Sequence, residues 1–169
     1  MQSGRCYLRR MPKPRVYVET TIPSFYHDPR TSPAVLARRR WTRLWWAGAD
    51  NHYELVTSEY VIEELAAGTM NVARKRLELI QALPLVGSTP RMLEVAQIYV
   101  DQKLMPASPP YDAYHLALAS YHDCDFILTW NCKHLANPSK AGRVERINLS
   151  LGLYVPRLVT PQDFLRREL

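Results

Sequence analysis

The chain has 169 residues, 47% of them hydrophobic and 22% charged, which suits one folded domain with a sizeable core and argues against an intrinsically disordered chain. No apolar run approaches the roughly 18 residues that cross a bilayer, and Met1–Arg10 lacks the apolar centre of a signal peptide. The net charge of +6 is concentrated early: residues 1–50 hold ten Lys or Arg against Glu19, Asp28 and Asp50. A cytoplasmic protein with a polyanionic partner fits that balance, because basic side chains gain by releasing counterions from phosphates. A solvated basic helix face is the plainer alternative. Cys6, Cys124 and Cys132 form no CxxC pair and read as reduced thiols.

Residues 1–12 read as a flexible N-terminal tail and 13–169 as one domain. Arg15–Glu19 alternates as a short strand, with Tyr17 on one face and Val16 and Val18 on the other. It runs into Glu19-Thr-Thr-Ile-Pro, where Thr20 or Thr21 is placed to cap a helix and Pro23 suits its first turn. A helix from Pro33 to about Gly48 carries Arg38, Arg39, Arg40 and Arg43 among Leu36, Trp41, Leu44 and Trp45. Glu54–Thr57 is a second strand. Ser58 then starts a helix to about Ala67, which Gly68 stops in a left-handed position.

Residues 71–83 have helical periodicity, and Leu85-Val86 reads as a third short strand. Thr89-Pro90 opens another helix with Val95, Ile98 and Tyr99 inward. After prolines 106, 109 and 110, Asp112 stands in the first turn of an Ala/Leu-rich helix ending near Asp123. Phe126–Thr129 is the clearest buried strand, residues 139–151 are weakly helical, and Arg157–Thr160 is a last strand before a helix begun by Pro161. Strands alternating with helices predict an α/β fold of right-handed βαβ units around a parallel sheet.

Ligands of such sheets bind beyond the carboxyl ends of the strands, where Glu19, Glu64, Asp112 and Asn131 fall. Acids brought together there repel, so either their pKa values rise or a divalent cation neutralises them. Hard oxygen ligands select Mg²⁺ or Mn²⁺, and an ion so held supports in-line phosphodiester displacement by an activated water. Each acid also has a plainer reading: Glu19 as an exposed strand end, Asp112 as a complement to its helix dipole, Glu63 and Glu64 as solvated helix residues. Glu64 flanks the stripe of Val61, Leu65 and Gly68 and is better placed than Glu63 to look inward.

Four segments resemble the PIN-domain family, and within it the VapC-like toxins of toxin–antitoxin systems. They are Val16-Tyr-Val-Glu-Thr-Thr-Ile22, Ser58-Glu-Tyr-Val-Ile-Glu-Glu-Leu-Ala-Ala-Gly68, Asp112-Ala-Tyr-His-Leu-Ala-Leu-Ala119 and Phe126-Ile-Leu-Thr-Trp-Asn-Cys-Lys-His-Leu135. The resemblance implies a three-layer α/β/α fold with a central, mostly parallel sheet. It implies an Mg²⁺- or Mn²⁺-dependent endoribonuclease, the toxin of a toxin–antitoxin pair, with Glu19, Glu64 and Asp112 as metal-binding acids. Asn131 takes a fourth position, and Thr20 and Thr129 support the site. A homodimer and an antitoxin partner are further implications.

The sequence departs from the family pattern twice: Glu19 replaces the usual Asp, and Asn131 is neutral where many members carry an acid. These departures favour a second reading, a catalytically weakened PIN-like module that binds RNA or a partner. A doubly wound nucleotide-binding or phosphatase-like enzyme ranks behind both, because no glycine-rich phosphate loop follows the first strand. Arg38, Arg39, Arg43, Lys133 and His134 are candidate RNA contacts. Trp41, Trp45 and Trp46 suit core or dimer packing better than base stacking. His115 reads as a helix-packing or substrate-facing residue rather than a ligand.

Overall fold

The computed structural model describes residues 12–167. The tail expected over residues 1–12 therefore lies, except for Pro12, outside the described residues. Four parallel strands, β1 (Arg15–Val18), β2 (Glu54–Val56), β3 (Phe126–Leu128) and β4 (Arg157–Val159), form one sheet in the order β2-β1-β3-β4. Tyr17 of β1 aligns with Val56 of β2 on one side and with Ile127 of β3 on the other.

The alternation of β1 sorts its side chains onto two cores, as the strand period requires. Tyr17 packs on one face with Val56, Val61, Leu65, Met92, Tyr99, Leu116 and Ile127. That face is covered by α4 (Glu59–Ala66), α5 (Met70–Ile80), α6 (Pro90–Asp101), α7 (Tyr111–Tyr121) and α8 (Ala141–Ser150). Val16 and Val18 pack on the other face with Ile22, Trp45, Leu128, Val159 and Phe164. Besides the strand residues Leu128 and Val159, that face is covered by α1 (Thr21–Tyr26), α2 (Pro33–Trp46), α3 (Ala49–His52), which adds Ala49, and α9 (Pro161–Arg167). The result is the expected three-layer α/β/α arrangement.

Helices cover one face as the chain passes from β1 to β2, and the other as it returns past β1 to β3. Reversing both direction and face keeps a single hand of crossover. It also puts a topological switch point between β1 and β3, and ligands of open parallel sheets bind at the carboxyl ends of strands at such a point.

Three local expectations are corrected. Leu85-Val86 is not a strand: Leu85 makes an isolated parallel bridge to Thr57, with Val86 N–H donating to Thr57 O at 2.8 Å. Prolines and glycines around it leave too little backbone to extend a ladder. Gly68 does not take a left-handed conformation, since α4 closes at Ala67 with helical backbone angles. Thr20 precedes α1 but does not cap it with its side chain, and Thr21 lies inside the helix. The 3₁₀ turn Pro138–Lys140 and the short α3 carry too few residues for periodicity to reveal them. By contrast, Thr89 caps α6 as expected, accepting from Met92 N–H at 3.2 Å. Among the described residues no helix is long and apolar enough to cross a membrane.

Leu116 is fully buried on α7, between the sheet and the outer helices. Leu116→Ala is expected to cost about 2–5 kcal/mol of stability, measured as a shift in the denaturant midpoint at unchanged m-value. A cost below 1 kcal/mol would show that α7 is not anchored through this contact.

Candidate metal centre

The carboxyl ends of β1 and β3 bring the sequence-distant acids to one place. Glu19 follows β1 directly, and its N–H donates to Leu128 O of β3 at 3.2 Å. Its side chain is almost wholly buried at 3% exposure. One oxygen, Oε2, accepts from Thr21 N–H at 3.0 Å, from the Thr21 hydroxyl, and from the Thr129 hydroxyl at 2.7 Å. The Glu19 carboxylate thus does the capping work expected of a threonine: it binds an N–H in the first turn of α1.

Glu64 arrives from α4, on the other side of β1. Its Oε2 accepts from the Thr20 hydroxyl at 2.6 Å and bonds His115 Nε2 at 2.9 Å. The neighbouring Glu63 is exposed, so the inward choice of Glu64 holds. Asp112, in the first turn of α7, accepts through Oδ1 from Asn131 Nδ2 at 2.8 Å. Asn131 Oδ1 in turn accepts from His134 N–H at 3.0 Å. An acid at position 131 would have no proton to give Asp112 when both were ionised, so the amide suits this contact.

Glu19, Glu64 and His115 present ligand-type atoms all within 4.8 Å of one another. Asp112 lies outside that trio, yet near enough for the Glu64 charge to act on it. His115, read from sequence as packing or substrate-facing, is instead buried in the cluster with a side-chain exposure of 1%. The available signal was its spacing: Asp112 and His115 at i, i+3 share one face of α7.

The charges are held under tension. Burial raises the pKa of Glu19, against the opposing pull of His115 and the hydrogen bonds from Thr21 and Thr129. Burial likewise raises Asp112, with the Glu64 charge adding to it and His115, His134 and Asn131 working against it. Glu64 goes the other way: burial alone would raise it, but the His115 hydrogen bond, attraction to His115 and the Thr20 hydroxyl together bring it below its ordinary value.

In all three acids one oxygen takes the hydrogen bonds, leaving Glu19 Oε1, Glu64 Oε1 and Asp112 Oδ2 without a partner among the described residues. A set of anchored carboxylates with spare oxygens suits a hard divalent cation, which takes oxygen ligands and relieves their repulsion. The donor set therefore fits such an ion.

A family model of the PIN domain matches residues 17–133, the span that carries Glu19, Glu64, Asp112 and Asn131. The chain belongs to the PIN-domain family. PIN domains are generally nucleases and use divalent metal ions. No curated protein matches the sequence. Among solved structures this PIN domain is similar to a chain in the crystal structure of VapBC2 from Rickettsia felis bound to a DNA fragment from their promoter. The TM-score is 0.51 and the identity 10%, over 86% of this chain and 98% of that one. At that identity the likeness is one of fold.

The basic helix of this PIN domain is fastened to the same end of the sheet. Trp130, next to Asn131, donates from Nε1 to Thr42 at 2.8 Å and stacks on Trp41. The Arg38 guanidinium lies 5.2 Å from the centre of the Phe25 ring and 5.3 Å from that of Trp130, a cation–π arrangement. Arg39 and Arg43 donate to the carbonyls of Asp28 and Tyr26, which ties α2 to the end of α1. Lys133 is exposed and His134 half-buried beside Asn131. Trp45 is core, stacked on Phe164 and Tyr53, as its spacing suggested.

The raised pKa of Glu19 fixes a sign. Above that value the carboxylate is ionised in both folded and unfolded chains, and folding bears the cost of burying it. Below the ordinary glutamate value it is protonated in both states and the cost is gone. Metal-free Glu19→Gln is therefore expected to melt above the metal-free wild type at pH 7. The gap should close as pH falls through the raised Glu19 pKa, read by thermal unfolding in EDTA. A gap of the opposite sign at pH 7 would mean the Glu19 charge is stabilised in place.

Proposed function

We propose that this PIN domain is a metal-dependent endoribonuclease and the toxin of a toxin–antitoxin pair, with Glu19, Glu64 and Asp112 holding Mg²⁺ or Mn²⁺. The observation that carries this reading is the convergence of those three acids at the switch point, each fixed by one oxygen and open at the other. A divalent ion bound there neutralises the acids and acts as a Lewis acid toward a phosphodiester and its attacking water.

The protein's own groups set the geometry. Thr21 and Thr129 fix Glu19, Thr20 fixes Glu64, and Asn131 fixes Asp112. Asn131 acts in this reading through Asp112 rather than as an anionic ligand, which favours a single tightly held cation. Arg38 on α2 and Lys133 after β3 supply positive charge for the RNA backbone, with His134 beside Lys133 as a further contact. The surplus of basic residues before position 50, where α2 lies, supports a polyanionic substrate. The likeness of fold to VapBC2 agrees with the VapC-like motifs, and an antitoxin partner, homodimer assembly and cytoplasmic action follow from the same reading.

With Mn²⁺ or Mg²⁺ and a mixed RNA pool, wild type is expected to cleave, EDTA to stop cleavage, and folded Asp112→Asn to lose at least about two orders of magnitude in rate. That loss corresponds to several kcal/mol of transition-state stabilisation. Full activity in Asp112→Asn would remove Asp112 from the site. RNA binding without metal-stimulated cutting by the wild type would favour the second reading, a binding module, for which the neutral Asn131 is the motivating residue.

A further inference from the structure

A continuous row of hydrogen-bonded side chains runs from the core to the acids. Ser58 Oγ lies 2.7 Å from the Tyr17 hydroxyl, that hydroxyl 2.8 Å from His115 Nδ1, and His115 Nε2 2.9 Å from Glu64 Oε2. Ser58, Tyr17 and His115 are all buried, at 1%, 0% and 0% exposure. They come from the N-terminus of α4, from β1 and from α7, so three separate elements meet on one ring.

The hydrogens of this row can be assigned. An ionised carboxylate has no proton to give, so the proton between His115 and Glu64 belongs to Nε2. Nδ1 is turned to the Tyr17 hydroxyl and engaged there. Neither ring nitrogen therefore keeps a free lone pair toward the space between Glu19 and Glu64, which argues against His115 as a metal ligand despite its place in the trio.

We propose that His115 is the positioning residue of the metal centre: its Nε2–H holds Glu64 Oε2, leaving Oε1 to the cation, while Tyr17 and Ser58 fix the ring. The assignment rests on the metal-binding reading above. It explains a fully buried histidine on a helix otherwise lined there by Ala113, Leu116 and Ala117. Glu64 has a long side chain that is still 27% exposed. Held by Thr20 alone, it would keep rotamer freedom that ligand binding must remove. Groups behind a metal ligand work in this way, by orienting it before the ion arrives.

The test uses the full chain and Mn²⁺ as the probe, with affinity from calorimetry and ligation from pulsed electron paramagnetic resonance. His115→Leu removes both ring contacts, His115→Asn retains at most the Tyr17 contact, and His115→Gln places an amide N–H where Nε2 stood. Leu and Asn variants are expected to bind Mn²⁺ about 10–100-fold more weakly, Gln to recover most of that loss, and wild type to show no directly coordinated nitrogen. Unchanged affinity in a folded Leu variant overturns the proposal, and so does a coordinated-nitrogen signal that disappears in that variant.

Should the Leu variant not fold, Tyr17→Phe, which frees the ring at its other nitrogen, is expected to weaken Mn²⁺ binding by a smaller factor. A long-range ¹H–¹⁵N spectrum of the metal-free wild type adds a readout that needs no ion. A proton on Nε2 supports the assignment, and a bare Nε2 overturns it. Absence of Mn²⁺ binding by the wild type would instead defeat the metal-site reading itself.

Discussion

Like charge at close quarters is the constraint around which this end of the molecule is organised. Glu19, Glu64 and Asp112 converge where two parallel strands stop, in surroundings dry enough to raise the pKa of two of them. Carboxylates so placed either take up protons, move apart or are held by something else. Here they are held. Neutral donors from Thr20, Thr21, Thr129 and Asn131, together with His115, each secure one carboxylate oxygen. The cost of burying Glu19 and the Glu64 charge acting on Asp112 are what a divalent cation held there would relieve.

The sheet topology delivers these groups. β1 stands between β2 and β3, so the turn after β1 faces the segment after β3 directly, and Glu19 N–H closes onto Leu128 O. The crossovers from β1 to β2 and from β2 to β3 lie on opposite faces. The one from β2 to β3 begins with α4, which carries Glu64, and ends with α7, which carries Asp112 and His115. Tyr17 links core and site: its ring packs among the helices of one face while its hydroxyl reaches Ser58 and His115. A side chain with an apolar body and a polar tip is suited to that boundary.

The opposite face contributes through Trp130. Its indole donates to Thr42, stacks on Trp41 and lies beside the Arg38 guanidinium, fastening the arginine-rich α2 next to Asn131. The basic stretch legible in the sequence thereby acquires a definite position relative to the acids. Part of its charge is spent on structure, since Arg39 and Arg43 bind backbone carbonyls at the end of α1.

The sequence by itself determined the four strands of the sheet and the main helices between them, the two faces of β1, and the inward choice of Glu64 over Glu63, although it also offered a strand at Leu85-Val86 that does not form. These follow from periodicity and from stop signals, which act over a few residues and so can be read locally. The ordered motifs also singled out Glu19, Asp112 and Asn131 as candidates for one site. Only the tertiary structure decided what each polar group binds. Thr20, expected as a helix cap or a support of the site, donates to Glu64, Asn131 became the partner of Asp112, and His115 moved from a packing or substrate-facing residue to a member of the cluster. Such contacts join residues tens of positions apart. A polar side chain has several possible partners, and which one it takes depends on distances that exist only once the sheet has brought the strand ends together.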